Sequence, residues 1–102
     1  MKILAMETEI PGVDWSGAKA LLKEEARHVY ELYLTGTLQE IYFTEAHDAV
    51  IILECGSLTE AQELLGDLPL VREGLIRFAL HELHPYDGYS RLMQQDGDGS
   101  GK

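Results

Sequence analysis

The chain has 102 residues, 45% hydrophobic and 25% charged, which is one domain's worth of ordinary globular composition and argues against global disorder. Its formal charge of −10 comes from 8 basic and 18 acidic side chains with no Lys/Arg cluster, so neither nucleic-acid binding nor a basic helix on an anionic membrane is expected. Cys55 is the single cysteine, which rules out an intramolecular disulfide and a cysteine-based metal site. The acidity reads as solubility. The run Ile3-Leu4-Ala5-Met6 before Glu7 is too short for a signal-peptide core or a membrane span, and a cytoplasmic protein is the default expectation. A domain of this size buries only about two-thirds of its unfolded surface, a first argument for an oligomer.

Lys2 to Thr8 is a short apolar run and reads as the first strand. Pro11-Gly12 breaks it, and Asp14 or Ser16 is placed to cap a helix. From Ala18 to about Leu34 the periodicity is helical: Leu22, Ala26, Val29 and Tyr33 form a stripe, and Lys19, Lys23, Arg27 and Glu31 fall on another face. Gly36 supplies the stop. Leu38 to Thr44 and Ala49 to Cys55 are the second and third strands, joined by a link short enough for a hairpin. Ser57-x-x-Glu60 is a capping box opening a second helix through Leu65, which Gly66 ends. Leu68-Pro69-Leu70-Val71 reads as an apolar connector, and Leu75 to Leu83 as the fourth strand. The order βαββαβ predicts a ferredoxin-like α+β domain over residues 1–93, with a four-stranded antiparallel sheet and two helices on one face.

After this domain, 94–102 is built from Gln, Asp, Gly, Ser and Lys and is expected to be a disordered tail. Asp96-x-Asp98-x-Ser100-Gly101 copies the first half of an EF-hand loop without the bidentate Glu that closes the calcium shell.

The sheet has two dissimilar faces. Pairing Phe43 with Ala49 sets Tyr42 against Val50, Glu40 against Ile52 and Leu38 against Glu54, all on one face. Ile41, Phe43, Ile51, Leu53 and Cys55 make the other, plain core face. On the fourth strand Ile76, Phe78 and Leu80 oppose Arg77, Ala79 and His81. The face without helices would mix apolar and ionisable groups, too greasy for water and too polar for a dry core. A second copy of the chain is its natural cover, so a homodimer or larger homo-oligomer is expected.

Glu25-Ala26-Arg27-His28-Val29-Tyr30-Glu31-Leu32-Tyr33 with Gly36, then Leu38-Gln39-Glu40-Ile41-Tyr42-Phe43, and later Leu68-Pro69-Leu70-Val71-Arg72-Glu73-Gly74-Leu75-Ile76 together resemble the muconolactone isomerase-like proteins of the dimeric α/β-barrel superfamily. The resemblance spans nearly residues 2 to 92. It implies two ferredoxin-like sheets packed face to face, a small-molecule pocket and no metal or organic cofactor. A cofactor-free isomerase needs a base next to a carbonyl and a donor for the enolate oxygen. Glu40, Glu54 and His81 are the candidate catalytic groups, and Tyr33, Tyr42 and Arg77 the candidate substrate contacts; an interface salt-bridge set of Glu40 and Glu54 with Arg77 is the competing reading. His28 reads as a helix-rim residue, and Cys55 as a small core hydrophobe. His81 and His84 point to opposite faces of a strand and do not converge on a metal. The aromatic turn His84-Pro85-Tyr86-Asp87-Gly88-Tyr89 reads as an interface segment or a lid. The leading function is isomerisation of a lactone or oxygenated cyclic metabolite through an enolate; a cofactor-free monooxygenase of the antibiotic-biosynthesis type and a non-catalytic binding or oligomerisation module are the alternatives.

Overall fold

The computed structural model describes residues 1–94. Its elements are β1 (Lys2–Glu9), α1 (Lys19–Leu34), β2 (Leu38–Phe43), β3 (Ala49–Glu54), α2 (Leu58–Gly66), α3 (Pro69–Arg72), β4 (Ile76–Leu83) and a terminal 3-10 turn (Gly88–Met93). The strands form one antiparallel sheet in the order β2-β3-β1-β4, the ferredoxin-like arrangement that the pattern predicts. The expected tail, beyond Gln94, and its EF-hand-like stretch lie outside the described residues. Among the described residues no helix is long and apolar enough to cross a membrane.

Alternation decides which face meets the helices. Ile3 and Ala5 on β1 and Ile51 and Leu53 on β3 are buried in one cluster, to which α2 adds Ala61 and Leu65; Ile76 on β4 is buried as well. The capping box at α2 forms: Ser57 Oγ accepts the Glu60 N–H at 3.1 Å, and Glu60 reaches back to the Gly56 N–H at 2.8 Å. At α1 the expectation changes. Asp14 accepts the Ser16 N–H at 2.8 Å and closes a turn upstream, so neither residue caps the helix, which begins after Ala18. Gly36 ends α1 at φ +85°, a conformation that a Cβ would strain. The Leu-Pro-Leu stretch, expected as a connector, winds into α3; Pro69 takes the first position, where its missing N–H costs nothing.

The hairpin register is as predicted from Phe43 opposite Ala49 down to Glu40 opposite Ile52, and then it slips. Leu38 pairs with Leu53, not with Glu54, because Gln39 is an extra residue on β2. This bulge rolls Leu38 onto the helix side, where it is only 2% exposed, although strict alternation puts it on the opposite face.

The two long helices cover the sheet unequally. While α2 buries Ala61 and Leu65, α1 buries none of its residues. Leu22 and Tyr33, both on the apolar stripe, remain 47% and 57% exposed. The first helix leans on α3 and β2, and its Val29 and Leu32 pack against the core while Leu22 and Tyr33 border open space.

Candidate active site

The space beneath α1 is a cavity of about 690 Å³, large enough for a small organic molecule. One wall is helical, from Leu22, Ala26, Val29, Tyr30 and Tyr33; the other is the sheet, with Leu38, Ala49, Ile51 and Phe78. Trp15 from the loop before α1, and Phe43 and His47 from the β2–β3 hairpin, complete it. His47 has φ +67°, and its ring stacks on Phe43 with centroids 4.0 Å apart. Histidine is one of the few residues that tolerate this left-handed conformation, and here it turns the imidazole toward the cavity lining.

Three carboxylates enter this apolar space: Glu7 and Glu9 from β1, and Glu25 from α1. Glu7 Oε1 accepts the Ala49 N–H at 3.1 Å, which holds one oxygen against the start of β3. Burial pushes the Glu7 carboxyl above its ordinary value; the charges of Asp48 and Glu9 add to this, and the Ala49 hydrogen bond and His47 oppose it. Glu25 accepts the Leu70 N–H at 2.9 Å, so the carboxylate of one helix satisfies a free donor in the first turn of another. Burial raises the Glu25 carboxyl as well, with Glu7 contributing, against the Leu70 hydrogen bond and His28. Each therefore favours holding a proton nearer neutral pH than a free glutamate would, and Glu25 also feels the charge of Glu7.

Oxygens of Glu7, Glu9 and Asp48 lie within 4.8 Å of one another, the one group among the described residues close enough to share a cation. His81 and His84 are not part of it; His84 faces Glu82 at 3.5 Å. The Cys55 thiol is buried, and burial followed by the Glu60 charge raises its pKa, which suits a core residue and not a nucleophile.

Of the residues that the sequence singles out, Tyr33 lines the cavity, stacked beside Tyr30 with centroids 6.4 Å apart. Glu40, Tyr42, Glu54, Arg77 and His81 stand on the opposite face of the sheet. The Tyr42 hydroxyl donates to Glu40 at 2.7 Å, and this bond raises the phenol pKa. Glu54 accepts from the N-terminal amine at 3.5 Å. Glu40, Ile52, Leu4 and His81 form one row across the sheet, so three strand spacings, about 14 Å, separate Glu40 from His81. Within one chain only Glu40 and Tyr42 are brought together. Sequence reasoning passes over Glu7, Glu9, Glu25 and His47, although Glu7 and Glu9 continue the buried face of Ile3 and Ala5, and Glu25 sits beside the Leu22-Ala26-Val29 stripe.

No family model matches the chain, and no curated protein matches its sequence. Among solved structures it is similar to 5-chloro-2-hydroxyhydroquinone dehydrochlorinase from Burkholderia phenoliruptrix AC1100 in complex with 2,5-dihydroxybenzoquinone, with a TM-score of 0.63 at 17% identity over 86% of this chain and 98% of that one. It is also similar to muconolactone isomerase, with a TM-score of 0.70 at 21% identity over 85% of this chain and 92% of that one. The sheet order, the helix placement and these two likenesses agree: this chain has the muconolactone isomerase-like form of the ferredoxin-like α+β fold.

Proposed function

We propose that the chain is a small-molecule enzyme that shifts a proton through an enolate on an oxygenated cyclic compound, in the cavity beneath α1. The observation that carries this reading is a pair of half-buried carboxylates, Glu7 and Glu25, whose pKa values are raised in one shared apolar cavity. A proton shift needs one carboxylate to take a proton from the carbon next to a carbonyl and a carboxylic acid to return one to the conjugated carbon. Two carboxylates in one apolar cavity, with the charge of Glu7 disfavouring ionisation of Glu25, supply one of each. Tyr30 and Tyr33, whose side chains line the same cavity, are the donors we assign to the enolate oxygen. The scheme needs no cofactor. Both structural neighbours are named for activities on oxygenated rings, which supports this class of substrate.

The proton-transfer role thereby passes from Glu40, Glu54 and His81 to Glu7 and Glu25. For the outer face we propose a second copy of the chain as cover. Met6 and Tyr42 are 43% and 59% exposed there, and Tyr86, Tyr89, Leu92 and Met93 project beyond β4 at 71% exposure or more. Because Glu40 and Arg77 lie on the two outermost strands, a second copy is what would bring opposite charges together.

The test is turnover of a panel of butenolides, enones and hydroxyquinones by the wild-type chain, Glu7→Gln and Glu25→Gln. The expected result is an isomer of at least one compound, with the rate lowered about 100-fold or more in each variant. Wild-type turnover that survives both substitutions would sink the assignment. Oxygen uptake during turnover would point instead to the monooxygenase reading, and ligand binding without turnover to a binding module.

A further inference from the structure

Resting on that reading of the cavity, we infer that its substrate is an uncharged aromatic or quinone-like ring bearing hydroxyl or carbonyl groups, and that the site rejects rings carrying a carboxylate. Two independent features of the lining carry this. The first is charge. Glu7, Glu9 and Glu25 all line the cavity, and Asp48 crowds against the first two, whereas no lysine or arginine among the described residues lines it. Arg27 is paired with Glu24, and Arg77 stands on the far side of the sheet. The one lining group able to become cationic is His47, which lies flat against Phe43. A ligand carboxylate would enter a low-dielectric space among three or four acidic groups with no guanidinium or ammonium to meet it.

The second feature is shape and surface. The single tryptophan, both phenylalanines and two of the five tyrosines of the chain line this one cavity, as Trp15, Phe43, Phe78, Tyr30 and Tyr33. Flat, polarisable walls favour a planar ring, which aromatic faces hold by offset or edge contacts. The carboxylates and tyrosine hydroxyls provide acceptors and donors for ring hydroxyls and carbonyls, neutral groups that cost little to bring out of water.

Trp15 provides the readout, since a ligand in the cavity changes the emission of the only indole in the chain. The full chain is titrated at pH 7 with two matched pairs: hydroquinone against 2,5-dihydroxybenzoate, and the methyl ester of muconolactone against the free acid. The neutral member of each pair should bind at least about 10-fold more tightly, and Glu9→Gln should narrow that gap several-fold. Equal or tighter binding of the carboxylated members would overturn the charge inference and leave the cavity standing as a ligand site. If no member of either pair perturbs Trp15 at millimolar concentration, the cavity reading fails, and this inference fails with it.

Discussion

Replacing Glu25 with glutamine and with alanine separates two effects that the structure sets against each other. The carboxylate satisfies the Leu70 N–H at 2.9 Å and ties α1 to α3, but it does so half-buried in an apolar cavity. Alanine removes the acceptor and leaves a part-buried donor unpaired, a loss of about 1–2 kcal/mol. That is a sizeable share of the 5–15 kcal/mol typical of a domain this size, and about 4–8 °C in Tm per kcal/mol. Glutamine keeps an oxygen for Leu70 and removes the charge, so it should stabilise the protein at neutral pH; partial solvent access limits the gain to about 0.5 kcal/mol. The sign with pH follows from the raised folded-state pKa. The wild type binds its proton more tightly when folded, so this contribution is fully present below the unfolded glutamate value and is lost as pH rises through the folded one. The advantage of Glu25→Gln should therefore grow from about pH 4 to pH 8. Urea unfolding at one fixed protein concentration, repeated across this range, measures it. A glutamine variant as unstable as the alanine one, or a difference that stays flat with pH, would refute the reasoning.

Other substitutions probe the frame around the site. Leu53→Ala, at a fully buried position of β3, should cost about 2–5 kcal/mol by urea unfolding, whereas Glu45→Ala in the exposed hairpin should cost almost nothing. Ser57→Ala should lower stability by about 1 kcal/mol through loss of the bond to the Glu60 N–H, and Ser57→Asp should restore most of it, as thermal unfolding would show. Val50→Lys on the outer face should leave the far-ultraviolet circular dichroism unchanged while sedimentation reports a shift from dimer to monomer. A wild-type chain that sediments as a folded monomer would remove the basis for that expectation.

Much of the architecture was legible in the residues themselves. Period-two alternation along Ile3-Ala5 and Ile51-Leu53, the capping box at Ser57, and Gly36 after a helical stripe each have one dominant local interpretation, and the structure follows them. The site was harder to read. Glu40, Tyr42, Arg77 and His81 are polar groups on a half-apolar face, and polarity alone does not tell a cavity wall from a surface that meets a second copy. What marks the cavity is the incomplete burial of α1, and that is a tertiary property: Leu22 and Tyr33 have the same periodicity whether or not the helix closes fully on the sheet. The available hint was carboxylates on faces otherwise built for burial, Glu7 continuing Ile3 and Ala5, and Glu25 beside Leu22 and Val29. The bulge at Gln39 had no comparable sign, since nothing in Leu38-Gln39-Glu40 forbids a regular strand.

That one additional residue gives β2 two phases. Above it, Glu40 and Tyr42 point away from the helices; below it, Leu38 points beneath α1 and closes the bottom of the cavity. Were Gln39 instead paired regularly opposite Leu53, the leucine would turn to the outer face and a glutamine would stand in its place beneath α1, yet Glu40 to Phe43 would keep their pairing with Ile52 to Ala49. A single slip of register thus decides whether leucine or glutamine floors the chamber, while Glu40 and Tyr42 keep their places on the opposite surface.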